Sequence, residues 1–311
     1  MKVVSYMKGI PNAKNQEKID ILNFFIRGVN TVGDIGIVSH DSFWQPSDAA
    51  VLQGFIAEHN FKNTRSPHLH LRKSVYENQL KNNKSTIIAD STLFLYADPG
   101  NSKHYLRYSM NGVFPTTGNY FWDNPDPVRW DSISRNLNLK LKPVRKDGHH
   151  ILICCQRNGG WSMGNLDVVD WLKYTIKRLR KYTDRPIVVR GHPGDKKAEK
   201  YLQVKFKQTG VRLSRNPHIL QDFQNCWAVV TYNSSPGVAA AIEGIPVFVT
   251  DSCPEISQAF DVANTSLLDI ENPILPDRQR WIERISMSHW NFTELQSGEA
   301  WQHMRSCLNF E

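Results

Sequence analysis

Four short apolar runs, HILICCQ, RPIVVRGHP, WAVVTYN and IPVFVTD, recur between residues 150 and 251, with helix-like segments between them. This alternation constrains the fold more than any other feature of the chain. Short continuous apolar runs read as strands buried on both faces, and such strands need helices to cover them. Strand and helix in repetition imply a parallel sheet with right-handed crossovers, hence a Rossmann-like domain. Its helices are expected over residues 166–182, with a basic outer face, over 196–209, and within SPGVAAAIEG.

The N-terminal half is less regular. Residues 2–7 and 33–41 read as strands around a helix over 16–29, where Ile19, Ile21, Leu22, Phe25 and Ile26 fall at helical spacing. Ser47 is a candidate N-cap for a helix over 47–60. A helix over 75–82 and a strand over 85–93 follow. Residues 96–130 are aromatic, rich in Gly, Pro and Asn and aperiodic, which predicts a long ordered loop. A polar, basic linker with Pro143 and Gly148 spans 142–150. The tail reads as two helices parting near residues 289–292. The 311 residues therefore divide into a Rossmann-like acceptor-side domain (1–143), a second Rossmann-like domain (150–276) and C-terminal helices (277–311).

Composition narrows the function classes. With 22% charged and 40% hydrophobic residues the chain is globular. No apolar run approaches the roughly 20 residues of a membrane span, and the N-terminus turns polar too early for a secretory signal. A cytoplasmic protein is expected, in the host cytoplasm if the source is viral. Five scattered cysteines without a CxxC pair suit reduced thiols rather than zinc ligands. The net charge of +8 favours a polyanionic partner or a phosphorylated ligand.

Parallel sheets bind ligands beyond the carboxyl ends of their strands. Three polar clusters fall there: Gln156, Arg157 and Ser162 in CCQRNGGWSMGN; Arg190 and His192 in VVRGHPGD; Tyr232, Asn233, Ser234, Ser235, Gly237 and Glu243 in TYNSSPGVAAAIEG. Each alone is compatible with an ordinary turn. Together they describe a nucleotide-diphosphate pocket, although neither a GxGxxG fingerprint nor a P-loop is present. No DxD-like cluster is present, so no metal site is expected; arginine and helix dipoles would carry the leaving-group charge.

The Arg190-x-His192-Pro193 element, the Asn233-Ser234-Ser235 run leading to Glu243-Gly244-x-Pro246, and the Trp281/Trp290…Glu294-x-x-x-Gly298 tail carry a family likeness. Over its last half the chain resembles the donor domain of GT-B glycosyltransferases, above all the bacterial capsule-polysaccharide type. YLRYSMNG and Asp90 extend the likeness loosely into the first half. The resemblance implies two Rossmann-like domains facing a central cleft, with C-terminal helices packing back across it. It implies a UDP-sugar donor held by Arg190, His192, Ser234, Ser235 and Glu243, the donor being a co-substrate and no cofactor being needed. The N-terminal domain then holds the acceptor and a carboxylate base: Asp90 first, Asp41 with His40 second. Tyr105, Arg107, Tyr108, Trp122 and Arg129 either grip an acceptor base and its phosphates or form core.

Two acceptors fit that enzyme. The basic balance is similar to that of phage enzymes that glycosylate 5-hydroxymethylcytosine, which makes double-stranded DNA the first expectation. A capsule or lipopolysaccharide sugar is the alternative. A non-catalytic nucleotide- or nucleic-acid-binding protein on a degenerate GT-B scaffold is the reading from another class.

Overall fold

The computed structural model describes residues 1–10, 16–54, 66–97, 105–158, 161–164, 166–195, 198 and 210–308, so the helix expected over 196–209 lies almost entirely outside the described residues. The chain divides into two compact units, Met1–Trp130 with Arg284–Glu311, and Asp131–Glu283.

The first unit is built on β1 (Lys2–Tyr6), β2 (Ile35–Ser39), β3 (Ala49–Gln53), β4 (Ser85–Asp90), β5 (Leu106–Met110) and β12 (His289–Trp290), in the order β12-β5-β4-β3-β1-β2. β2, β1, β3 and β4 are parallel, while β5 runs antiparallel to β4 and β12 antiparallel to β5. Helices α1 (Gln16–Thr31) and α2 (Pro67–Lys81) join the parallel strands.

Two expectations fail here for one reason. Residues 49–53 form a central strand, not the start of a helix. Ala49, Ala50, Val51 and Leu52 are each fully buried between β1 and β4, so the segment has no polar face for a surface helix to turn outward. Residues 106–110, expected as loop, pair with Ile87–Asp90 as β5. Tertiary pairing overrides local propensity at both places.

Helix α3 (Pro127–Asn136) leads out of this unit, and the C-terminal segment returns as α7 (Gln279–Met287), α8 (Phe292–Ser297) and α9 (Glu299–Ser306). The break near 289–292 is where the sequence puts it, but it holds β12, and Gly298 then divides the second helix. Gly298 adopts a left-handed φ of 89°, which suits glycine at a helix end. Gly28 of α1 is just as constrained: a Cβ there would sit 1.9 Å from the Leu295 carbonyl oxygen. α1 therefore packs on α8 and α9 backbone to backbone, with Phe25 and Trp301 in edge contact at 6.0 Å.

The second unit contains β6 (His150–Cys154), β7 (Ile187–Arg190), β8 (Val211–Leu213), β9 (Cys226–Thr231), β10 (Val247–Val249) and β11 (Ala263–Asn264). All are parallel, in the order β11-β10-β9-β6-β7-β8. Counted from β6, this is the doubly wound order 3-2-1-4-5-6, whose strand order reverses between β6 and β9. Helices α4 (Val168–Leu179), α5 (Ile219–Asp222) and α6 (Pro236–Ile242) complete the described crossovers. α4 begins where the Asp167 carboxylate accepts from the amides of Val169 and Asp170. Its buried face, with Trp171, Leu172 and Ile176, packs on Ile151, Ile153 and Val189 of the sheet. The 142–150 segment runs along the same unit, donating from Lys142 N to Ile242 O and from Arg145 N to Gly244 O.

Candidate functional site

At the reversal point of the second unit, the ends of β6, β9 and β10 are tied by side chains. Gln156 Nε2 donates to Asn233 Oδ1 at 2.6 Å and to Ser162 Oγ at 2.9 Å. Asn233 Nδ2 donates in turn to Asp251 Oδ2 at 2.6 Å and to the Ser162 carbonyl at 3.1 Å. Gln156, Asn233 and Asp251 are all buried, so each hydrogen bond is made where leaving it unmade would be costly. Asp251 is the member of this network not anticipated from the sequence pattern. Its signal was there: VFVTD is a buried strand running into an acid, like the other polar strand ends.

Around this network, Tyr232 is 8% exposed and its ring stands edge-on to Trp171. Burial, with Asp251 adding to it, pushes the Tyr232 phenol up. Ser234 Oγ is bonded to Thr231 Oγ1 at 2.6 Å and shapes the turn, whereas Ser235 is exposed at the start of α6. Gly237 lies buried between Thr231 and Val247, where close helix–sheet packing accounts for it. Past β7, His192 Nδ1 accepts from the Gly194 amide at 3.0 Å, which leaves Nε2 to carry the proton of the neutral ring. Burial first, and the positive charge of Arg157 second, hold the His192 pKa down.

Two expected donor ligands, Arg190 and Glu243, are engaged by protein groups. Arg190 does not present a free fork. Its Nη1 donates to Asp222 Oδ2 at 2.5 Å and to Asn216 O at 2.8 Å, and its Nη2 to Pro217 O at 3.0 Å. Asp222, whose side chain is 1% exposed, also accepts from Ser214 and Asn216, so Arg190 anchors the 214–222 segment. Glu243 is displaced by topology. α6 starts at the strand carboxyl ends and runs back two turns, so its C-cap Glu243 lies toward the amino ends of the strands. There it pairs with Lys142 at 2.5 Å. It does not join the Gln156–Asn233 network.

In the first unit, Asp90 ends β4 and its Oδ2 accepts from Arg107 Nη2 at 2.5 Å, while Oδ1 accepts from the Ser91 amide at 2.8 Å. A second guanidinium, unforeseen from sequence, reaches this end of the sheet. Arg72 of α2 is 4% exposed and donates from Nε to Gly9 O at 2.8 Å. Its guanidinium lies over Gly54, where a Cβ would come within 2.8 Å of it. Burial brings the Arg72 pKa down to about 10, with the Asp90 charge opposing. Asp41 lies beyond edge strand β2, three strands from β4, or roughly 14 Å at ordinary strand spacing. Its Oδ2 accepts from Gln45 at 2.6 Å, and His40 beside it is exposed. The two carboxylates do not form a pair.

Most of the expected acceptor residues are core. Tyr108 is fully buried, and Tyr105, at 3% exposed, accepts from Asn291 Nδ2 at 3.2 Å. Arg129 makes a bidentate bond to Glu294 at 2.6 and 2.9 Å, donates to the His289 carbonyl and stacks 3.7 Å over the Trp290 ring. Glu294 also closes a capping box with Asn291. Trp122 is half-buried, 5.1 Å from the Tyr120 ring and under Arg284. Arg107 of this set is bonded to Asp90. Among the described residues, no three His, Cys, Asp or Glu side chains converge as a metal cage.

No protein-family profile and no curated protein sequence matches the chain. Solved structures do. The β-Kdo 2,4 transferase of Thermosulfurimonas dismutans KpsC matches with a TM-score of 0.55 and 14% identity, over 93% of this chain and 90% of that one. The β-Kdo 2,7 transferase of the same KpsC matches with a TM-score of 0.55 and 13% identity, over 99% of this chain and 100% of that one. At such identity the likeness is one of fold, and it extends over nearly the whole chain. The chain has the GT-B fold, built from two Rossmann-like α/β units.

Proposed function

We propose that this chain is a glycosyltransferase that moves a sugar from a nucleotide-sugar donor to a saccharide acceptor of the capsule or lipopolysaccharide type. The observation that carries the proposal is the Gln156–Asn233–Asp251 network at the β6–β9 reversal of a GT-B chain, because doubly wound sheets receive nucleotides at that point. The two long structural matches are named as Kdo transferases, which favours a saccharide acceptor over DNA.

In this proposal Arg157, His192 Nε2–H and Ser235 face the diphosphate of the donor, and the amide network fixes the turns that present them. Asp90 takes the proton of the acceptor hydroxyl as its oxygen attacks the anomeric carbon and the bond to the diphosphate oxygen breaks. Arg107 holds Asp90 in place. Arg190 and Glu243 act on stability alone.

A second reading has one observation in its favour. The net charge of +8 suits a polyanionic acceptor, such as phage DNA carrying 5-hydroxymethylcytosine. A single experiment separates the readings: incubation with UDP-sugars and nucleotide-activated Kdo, against oligosaccharide acceptors, hydroxymethylated duplex and unmodified duplex. Transfer to an oligosaccharide supports the proposal. Transfer only to hydroxymethylated duplex replaces it with the DNA reading. Nucleotide binding without turnover on any acceptor leaves a binding scaffold and sinks both.

A further inference from the structure

The outer face of α4 is unlike any other described helix surface of this chain. Two rows lie side by side along it at i, i+4 spacing: Lys173, Lys177 and Lys181, and Tyr174, Arg178 and Tyr182. Lys181 and Tyr182 belong to the turn that continues the helix, through amide bonds to the carbonyls of Arg178 and Leu179. The three lysines are exposed, Tyr174 is 61% exposed and Tyr182 38%. Between Asp170 and Asp184 the segment has no acidic residue.

The fold does not ask for this pattern. Like charges four residues apart weaken a helix, where an alternating Glu and Lys row would support it. Attraction to the helix C-terminus covers Lys177 and Arg178 but not Lys173, a full turn earlier. Other exposed helix surfaces here mix signs, as Lys73 and Glu77 do on α2 and Arg280 and Glu283 on α7. Arg178 lies over Tyr174, its guanidinium 5.7 Å from the ring centre. The opposite face of α4 is locked into the sheet, so the helix is a rigid strip rather than an inserting segment.

We infer that this strip of α4 is a docking surface for an anionic lipid bilayer. Lysines at about 6 Å intervals meet acidic headgroups, and tyrosine rings flanked by cations suit the headgroup level of a bilayer, apolar in body and polar at the tip. No described helix is long and apolar enough to cross a membrane, so the attachment is peripheral and reversible. The exposed tyrosines favour a lipid surface over duplex DNA, whose stacked bases the rings cannot reach and whose phosphates the lysines alone would meet.

The test is co-sedimentation of the full chain with vesicles of phosphatidylglycerol and phosphatidylcholine, with pure phosphatidylcholine vesicles and a duplex DNA as comparison arms. Binding to the anionic vesicles is expected to fall about fivefold for each of K173Q, K177Q and K181Q, and about a hundredfold for the triple variant. Y174S/Y182S weakens binding further at high salt, where the charge contribution is screened. All are surface changes and retain the parent melting temperature. Equal binding of parent and triple variant to anionic vesicles, or no vesicle binding by the parent, overturns the inference. Loss of duplex binding in the triple variant with no vesicle binding by the parent reassigns the strip to nucleic acid. None of these readouts depends on glycosyl transfer, so they stand apart from the enzymatic proposal.

Discussion

The end of β4 in the first unit carries a carboxylate met by one guanidinium at 2.5 Å and approached by a second, Arg72. The ends of β6, β9 and β10 in the second unit carry instead two primary amides and a hydroxyl, closing on one carboxylate. Both lie at the carboxyl ends of parallel strands, the edge to which such folds bring their chemistry. Neutral amides impose direction and fix loops against each other, with little net charge to desolvate. A carboxylate, unlike an amide, can take up a proton, and the guanidinium bonded to it fixes where it points. Under the proposed function, the second unit's cluster positions the donor and the first unit's moves the proton.

The largest effect expected from that division is kinetic. Asp90→Asn removes the proposed base and lowers turnover by about 10³-fold, within the usual range for general bases. Donor affinity measured by calorimetry stays unchanged. Parent-like rates in this variant would return Asp41 to consideration and erase the contrast between the clusters.

Arg190→Ala tests the second unit from another direction. Because the buried Asp222 loses its cationic partner, stability falls by about 3 kcal/mol in urea unfolding. Donor affinity, corrected for any unfolded fraction, stays at the parent value. A loss of affinity without loss of stability would mean that Arg190 leaves Asp222 to meet phosphate.

A pH titration of stability probes the core of the first unit. His289 is fully buried, accepting at Nε2 from the Leu93 amide and donating from Nδ1 to the Ile285 carbonyl, so it is neutral in the fold. Burial, only partly opposed by that bond to Ile285, drives its pKa from 6.5 down to about 3. The unfolded chain therefore takes up the proton first, and stability drops as pH falls below about 6.5. At pH 5 the loss is about 2 kcal/mol. His289→Gln flattens this slope even if it lowers the starting stability, and an unchanged slope would assign it to other groups.

Asn233→Ala cuts the centre of the amide network and should cost about 1 to 2 kcal/mol of stability. Nucleotide binding should weaken about tenfold, as the loops that present Ser235 and the Gln156–Ser162 turn loosen. Glu243→Gln is the smallest change. Its partner Lys142 is half exposed, so stability shifts by under about 1 kcal/mol, and nucleotide affinity does not move. A tenfold loss of nucleotide affinity from Glu243→Gln would contradict its place at the far end of α6.

What was legible in the sequence differs between the two units for a physical reason. In the second unit β6, β7, β9 and β10 are short, apolar and flanked by breakers, so punctuation gives their order without any partner, whereas β8 (VRL) and β11 (AN) carry no such mark. Gln156, Ser162 and Asn233 were readable as strand-end polar residues because that position alone selects them. In the first unit, AAVL at 49–52 has neither period nor polar face, and only its place between β1 and β4 makes it a strand. LRYSM at 106–110 likewise becomes β5 by pairing with β4. Glu294 and Gly298 belong to the family likeness in the tail; in the fold, one clamps Arg129 and the other lets α8 meet α1.

By itself the sequence determined the alternation of strand and helix in the second unit, the polar strand ends, and a basic helix face at 173–182. Those are local properties, set by the spacing of apolar residues, by glycine and proline, and by charge. Tertiary structure alone decided which polar groups are engaged. Arg190 meets an aspartate 32 residues further on, Arg107 meets one 17 residues back, and Arg129 meets a glutamate 165 residues away. A guanidinium has the same chemistry whether it grips a substrate or a buried carboxylate, so only the folded chain, which brings one or the other within reach, distinguishes the two.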